Sequence, residues 1–157
     1  MSENVFTGDP VAVKVILPGL ANDESVLDLF RREARVLVQL RDEAIVRYHN
    51  FVLDQGLGRY CLIMEYVEGM TLTELLRDHD DRLTLDVVAA VFEAVAHALE
   101  VAHENGVLHL DIKPDNILIN ASGQVKVTDF GLATLADAQG FGVAGGGTIG
   151  YMPLEQM

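Results

Sequence analysis

The chain alternates between short apolar runs and longer stretches in which apolar residues recur every three or four positions. Short runs rich in β-branched residues and bounded by turn residues predict strands, whereas helical spacing predicts amphipathic helices. The short runs predict strands at residues 11–16, 45–53, 59–66, 117–119 and 125–127. The helical spacing predicts helices at residues 23–40, 71–77 and 84–105, and Gly106 is a typical residue to end the last of these.

The overall composition narrows the class of protein. The 157 residues suit one domain, and with 50% apolar residues and a mean hydropathy of +0.23 the chain can bury a core. No apolar run is long enough to span a bilayer, and Glu3 and Asp9 occupy the region where a signal sequence would be basic and apolar. The lone Cys61 excludes an internal disulfide and fits a reducing compartment. We therefore expect a cytoplasmic protein.

The net charge of −13 argues against nucleic acid as a partner, because phosphates require a basic surface. The chain contains only three lysines, Lys14, Lys113 and Lys126. A chain that otherwise uses arginine for its cations suggests that lysine is kept where a compact point charge is needed. A general bias in composition is the alternative explanation.

Polar side chains gather on either side of the last two predicted strands. Asp111, Lys113 and Asn116 precede the first of these strands, and Asp129 follows the second. Carboxylate and amide oxygens of the Asn116 and Asp129 type suit a hard divalent cation. Asp111 could take a proton from a hydroxyl, and Lys113 could neutralise a phosphate. This combination favours phosphoryl transfer, in which positioning and charge neutralisation supply most of the catalysis.

The same residues carry a resemblance to a known family. The run from His109 to Asn116 reads His-Leu-Asp-Ile-Lys-Pro-Asp-Asn and resembles the catalytic loop of eukaryotic-type protein kinases. Asp129-Phe130-Gly131 resembles their metal-binding motif. The resemblance implies ATP and Mg²⁺ as cofactors, Asp111 and Lys113 as catalytic residues, and Asn116 and Asp129 as metal ligands. His109 is then expected to orient the loop rather than to transfer a proton.

Further positions acquire a role through this resemblance. Lys14 lies in a Val-Ala-Val-Lys strand similar to the one whose lysine holds the α- and β-phosphates of ATP, although alone it would read as an exposed edge-strand lysine. Glu33 shares a helix face with apolar residues, so it is expected to pair with Lys14. The resemblance also implies that four residues surround the adenine: the backbone of Glu65 and Val67, and the apolar side chains of Ala12 and Leu118.

The resemblance implies a two-lobed α+β fold that is incomplete. We expect residues 1–67 to form part of the first lobe with the hinge, and residues 68–157 to form the first part of the second lobe through the activation segment. No Gly-x-Gly-x-x-Gly loop precedes Lys14, and the family's late helices do not follow Glu155. We therefore expect a bacterial kinase domain that is truncated at both ends.

Lys113, two residues beyond Asp111, is typical of serine/threonine rather than tyrosine kinases, which implies a protein hydroxyl as the acceptor. Two alternatives stay open: a small-molecule phosphotransferase of the aminoglycoside-kinase type, and an inactive, pseudokinase-like binding fragment. Many family members carry an arginine immediately before the catalytic aspartate, where this chain has Leu110. We therefore expect no activation by phosphorylation of the activation loop.

Overall fold

The computed structural model describes residues 2–3, 8–15, 24–56, 58–80 and 82–130. In this part of the chain the strands are β1 (Ser2–Glu3), β2 (Pro10–Val15), β3 (Tyr48–Asp54), β4 (Arg59–Glu65), β5 (Gly69–Thr71), β6 (Ile117–Asn120) and β7 (Val125–Val127). The helices are α1 (Glu24–Gln39), α2 (Leu72–Asp78) and α3 (Leu85–Glu104), with one 3-10 turn at Pro114–Asn116. The mixture of helices and antiparallel sheets confirms the α+β class.

The chain divides into two compact units. The first contains Met1–Arg41 and Arg47–Tyr66, and the second contains Asp42–Val46 and Val67–Met157. The chain therefore enters the second unit for five residues after α1, returns to the first for β3 and β4, and then remains in the second.

The first unit is an antiparallel sheet with the strand order β1-β2-β4-β3, on which α1 packs against β3. Its buried side chains come from both layers: Val11, Ala34, Leu37, Leu40, Tyr48, Cys61, Leu62 and Met64. Cys61 lies on β4 and packs in this core as a small apolar residue. Its burial raises the pKa of the thiol. Predicted strands 11–16 and 59–66 each match the structure to within one residue at either end.

Two features of this region differ from the sequence prediction. The predicted strand at residues 45–53 begins only at Tyr48, and Ile45 instead forms an isolated parallel bridge with Val127. Val46 and Tyr48 are both buried although they belong to different units, so a pattern of apolar residues cannot show where one unit ends and the next begins. The two residues of β1 were not predicted, because a pair of polar residues carries no strand pattern.

The second unit combines the antiparallel sheet β5-β6-β7 with α2 and α3. Its core cluster contains one residue from each of α2, α3, β6 and β7: Leu72, Val91, Ile117 and Val125. Both helices begin at a threonine cap, as the sequence pattern indicates: Thr71 forms a reciprocal capping box with Glu74, and the Thr84 hydroxyl accepts a bond from the Val87 amide.

The apolar residues that recur at helical spacing along α3 lie mostly on its covered side. Val91 and Ala102 are buried, and Val95 and Leu99 lie on the same face of the helix. Among the described residues, no helix combines the length and apolar character that crossing a membrane requires.

A tight turn joins β6 to β7. The side-chain oxygen of Asn120 accepts hydrogen bonds from the backbone amides of Ser122 and Gln124, and Gly123 has a φ of 83°. A left-handed residue at this point favours glycine. The turn sets the register in which Ile117 faces Val127, so the residues before β6 lie beside those after β7.

Candidate active site

The two polar clusters of the sequence meet at the open end of the β6-β7 hairpin. The backbone amide of Thr128 donates to the backbone carbonyl of Asn116 at 3.0 Å, which continues the pairing of the strands by one step. The loop from His109 to Asn116 and the segment from Thr128 to Phe130 are therefore neighbours within the second unit.

His109 connects these two segments. Its side chain is only 2% exposed, and its Nε2 lies 2.8 Å from the carbonyl oxygen of Thr128. Its Nδ1 accepts from the backbone amide of Asp111 at 3.2 Å. Because the carbonyl can only accept and the amide can only donate, the ring is neutral with its proton on Nε2. Burial lowers the pKa of the ring below its ordinary value of 6.5 and outweighs the opposing effect of the Thr128 carbonyl.

Phe130 completes the support of this histidine. Its side chain is fully buried, and its ring meets the His109 ring edge to face, with 4.7 Å between the ring centroids. This geometry is favourable for two aromatic rings. His109 is therefore held on three sides, which is the arrangement that a loop-orienting residue requires.

Asp111 is surrounded by two of the predicted site residues. The Lys113 Nζ lies 2.8 Å from Asp111 Oδ2, and both side chains are about one-fifth exposed. The Asn116 side-chain amide donates to the backbone carbonyl of Asp111 at 2.8 Å and approaches its Oδ2 at 3.3 Å. The structure thus brings Asp111, Lys113 and Asn116 together and orients the aspartate from two directions.

Two residues of this region have a left-handed backbone. Leu110 has a φ of 64° and Asp129 has a φ of 66°. Residues with a side chain seldom adopt this conformation, and it occurs preferentially at functional sites. Leu110 immediately precedes the candidate catalytic residue Asp111, and Asp129 is itself a predicted metal ligand.

The donor set near the hairpin fits a magnesium ion. With the Asn116 amide nitrogen directed at Asp111, the oxygen of the same amide is the atom available to a cation, and Asp129 adds a half-buried carboxylate. Mg²⁺ prefers such hard oxygen ligands and typically takes one or two from the protein.

The other predicted site residues are described within their own units. Ala12 and Lys14 lie on β2, opposite Met64 and Leu62, and the backbone amide of Glu65 donates to the carbonyl of Arg47. Leu118 lies on β6, where it is half-buried and pairs with Thr71 on β5 and with Lys126 on β7. Val67 lies two residues after the end of β4 and is also half-buried.

Some predictions concern residues outside the part of the chain that the structure describes. Glu33 lies on α1, but its side chain is outside the described residues, so its pairing with Lys14 stays a prediction. The activation segment, residues 131–157, also lies outside them.

Sequence reasoning missed the contribution of Thr128 and the two left-handed residues. The Thr128 carbonyl has no side-chain signature, because any residue would supply the same atom. Leu110 and Asp129 are not residue types that by themselves signal a positive φ as glycine does. The buried Phe130 could have been foreseen from the apolar surroundings of its motif.

Comparison with known proteins agrees with this geometry. The family described as protein kinase domain matches residues 3–157. The chain is 37% identical over 141 residues to the serine/threonine-protein kinase PknA of Corynebacterium glutamicum, covering 88% of this chain and 30% of that protein. It is 41% identical over 152 residues to PknL of Mycobacterium tuberculosis, covering 94% of this chain and 37% of that protein. The chain thus spans about a third of the length of these relatives.

Solved structures give the same result. The crystal structure of the PknI kinase domain from Mycobacterium tuberculosis superposes with a TM-score of 0.67 at 32% identity, over 78% of this chain and 50% of that one. The chain therefore belongs to the protein kinase family, and its relatives are serine/threonine kinases of bacteria.

Proposed function

We propose that the protein containing this chain transfers the γ-phosphoryl group of ATP to serine or threonine hydroxyls of protein substrates. The observation that carries the proposal is the arrangement around Asp111, whose carboxylate contacts Lys113 and whose position is held by Asn116 and His109. These contacts orient the carboxylate, as the position of a group that receives a hydroxyl proton requires.

The two catalytic candidates have complementary roles. Asp111 orients the acceptor hydroxyl and accepts its proton. Lys113, whose Nζ is 2.8 Å from Asp111, is a mobile point charge that can neutralise an oxygen of the transferring phosphoryl group. Before substrate binds, the same ion pair keeps both charges compensated.

Asn116 and Asp129 would hold the magnesium ion through their side-chain oxygens. When bound, the ion neutralises charge on the phosphates of the nucleotide. Within the chain, Asn116 would act on two partners at once, because its amide nitrogen bonds Asp111 and leaves its oxygen for the cation.

The remaining proposed contacts are to the nucleotide. We assign the α- and β-phosphates to Lys14, supported by Glu33, and the adenine to Ala12, Glu65, Val67 and Leu118. The matching family and the position of each residue within its motif support these assignments.

A cytoplasmic location is also proposed. ATP and reduced thiols are both found there, and the buried, single Cys61 requires no oxidising environment.

Phosphate transfer can be tested directly. The chain, and the longest open reading frame that contains it, are incubated with radiolabelled ATP, MgCl₂ and either casein or an aminoglycoside. Label on serine or threonine of the protein acceptor, lost in Asp111→Asn and retained in Asp115→Asn, supports the proposal. Asp115 is a suitable control because it is an exposed neighbour in the same turn. Label on the aminoglycoside alone would favour the small-molecule alternative, and no label on any acceptor would contradict transferase activity.

A further inference from the structure

The second unit contains a surface groove that the proposed phosphoryl transfer does not use. The groove has a volume of about 490 Å³ and lies between the segment Asp42–Val46, helix α3 and the start of β7. Small apolar side chains line part of it: Ala44, Ala90, Ala94 and Val125. The remaining lining residues are polar, and three of the five are acidic: Asp42, Glu43, Glu93, His97 and Gln124.

One side of the groove is fixed in position. Asp42 Oδ2 lies 3.1 Å from the Nε2 of His97, and Asp42 Oδ1 accepts from the backbone amide of Ala44 at 2.8 Å. The Gln124 amide donates to the backbone carbonyl of Glu43 at 3.3 Å. Backbone bonds between Ala44, Val46 and Val127, at 2.8 and 2.9 Å, tie the same segment to β7. The groove is therefore built on a braced segment of backbone.

The charge of the groove is not balanced by its own lining. His97 faces Asp42, but neither Glu43 nor Glu93 forms an ion pair within the described part of the chain. These two acidic residues come from different elements, because Glu43 lies in the segment after α1 and Glu93 lies on α3. The lining therefore combines two exposed acidic residues, Glu43 and Glu93, with apolar residues that are buried or half-buried at Ala44, Ala94 and Val125.

This combination matches the side chain of arginine. The alanine methyl groups suit the aliphatic stem, which can lie along apolar surface while its charged head reaches the edge. A guanidinium has five donors in a planar fork, so it can bond two separated carboxylates at once, which the compact ammonium of lysine does less well. We propose that the groove binds an arginine side chain from a basic segment of a protein partner.

The test uses the chain itself and short fluorescent peptides. The probe is a labelled peptide Gly-Arg-Arg-Gly, compared with peptides in which citrulline or lysine replaces both arginines. Binding is measured by fluorescence anisotropy at low and at high salt. Glu43→Gln and Glu93→Gln remove the two carboxylates that form no ion pair among the described residues. Glu104→Gln is the matched control because Glu104 is an exposed acid on α3 that does not line the groove.

We expect saturable binding of the arginine peptide that weakens with salt and that falls roughly three- to tenfold in each groove variant. Glu104→Gln should change the affinity by less than about twofold. The citrulline peptide should not bind, and the lysine peptide should bind more weakly. The proposal is overturned if the arginine peptide does not bind, or if the lysine or citrulline peptide binds equally well. It is also overturned if Glu104→Gln weakens binding as much as the groove variants do, because the peptide is then attracted only by the general negative charge of the chain.

Discussion

The Nε2–H of His109 donates to the backbone carbonyl of Thr128 across 2.8 Å and so ties together the two segments that carry the candidate catalytic and metal-binding residues. The donor lies two residues before Asp111, and the acceptor immediately precedes Asp129. Nineteen positions of sequence separate them. Protonation would leave this bond in place, but it would turn Nδ1 into a donor and so break the bond that Nδ1 accepts from the Asp111 amide.

A pH dependence of stability follows from the burial of His109. The pKa of folded His109 is lowered below 6.5, so the unfolded chain binds the proton more readily. Above that pH both states are neutral and this group contributes no difference. As the pH falls through 6.5, the unfolded state gains the proton first and the free energy of unfolding decreases. Urea denaturation between pH 8 and pH 5 should show this decrease, and His109→Gln should flatten it.

The matched control for that measurement is His103→Gln. His103 is exposed in the last turn of α3, so its replacement should leave the pH dependence nearly unchanged. An unchanged slope in His109→Gln, or an equal change in both variants, would show that the buried histidine does not cause the dependence.

Loss of Asn116 should affect both stability and cation binding. Asn116→Ala removes the donor to the Asp111 carbonyl and carboxylate, which we expect to lower the free energy of unfolding by about 1–3 kcal/mol. It also removes a proposed magnesium ligand, so the stabilisation by magnesium with ADP should shrink. Both effects are measured by urea denaturation with and without magnesium and ADP.

The control here is Asn105→Ala, which removes a similar amide bond to the Val101 carbonyl at an exposed helix end. It should change the response to magnesium and ADP very little. An Asn116→Ala protein with the full response would remove Asn116 from the proposed metal site.

Removal of the Asp111 carboxylate should abolish most catalysis while the fold persists. Asp111→Asn keeps the backbone carbonyl that Asn116 bonds, but loses the proton acceptor and the partner of Lys113. We expect the rate of phosphate transfer to fall by about 10²–10⁴-fold. Initial rates at saturating ATP measure the effect, and circular dichroism checks the fold. A rate within a factor of about three of the wild type would assign proton transfer to another group.

Gly69 should be intolerant of any side chain. A Cβ at this position would collide with the backbone carbonyl of Ile119 on the paired strand β6, and neither backbone can move without disturbing the β5-β6 ladder. Gly69→Ala should therefore lower the melting temperature markedly. Gly56→Ala is the control, because its added methyl meets only the flexible carboxylate of Asp54. Equal melting temperatures for the two variants would refute the argument.

Leu110 gives a prediction about regulation. Leu110 can neither pair with a phosphate nor repel it, so a phosphate on the activation segment would lack the charge-assisted bonds that arginine provides at this position in many family members. We expect phosphatase treatment and Thr134→Ala to leave the transfer rate unchanged. A large loss after either treatment, with phosphate mapped to residues 131–157, would contradict this expectation.

Much of the fold could be predicted from local patterns. The strands at residues 11–16 and 59–66 and the three helices follow from periodicity and caps, because an element that buries one face must repeat its apolar residues at the period of that element. Thr71 and Thr84 also mark helix starts by a local interaction, because each hydroxyl accepts a hydrogen bond from the backbone amide three residues further along the chain.

The sequence by itself also indicated the proposed chemistry, because Asp111, Lys113, Asn116 and Asp129 stand in two motifs whose residue types and order favour phosphoryl transfer. Only the tertiary structure decided how these groups are held. The bond from His109 to Thr128 and the pairing of Asp42 with His97 join residues 19 and 55 positions apart. The left-handed backbone at Leu110 and Asp129 likewise costs free energy, so it persists only because contacts with the surrounding structure hold it in place. Local periodicity records which face of an element is buried, but which distant residue meets it depends on how the whole unit packs.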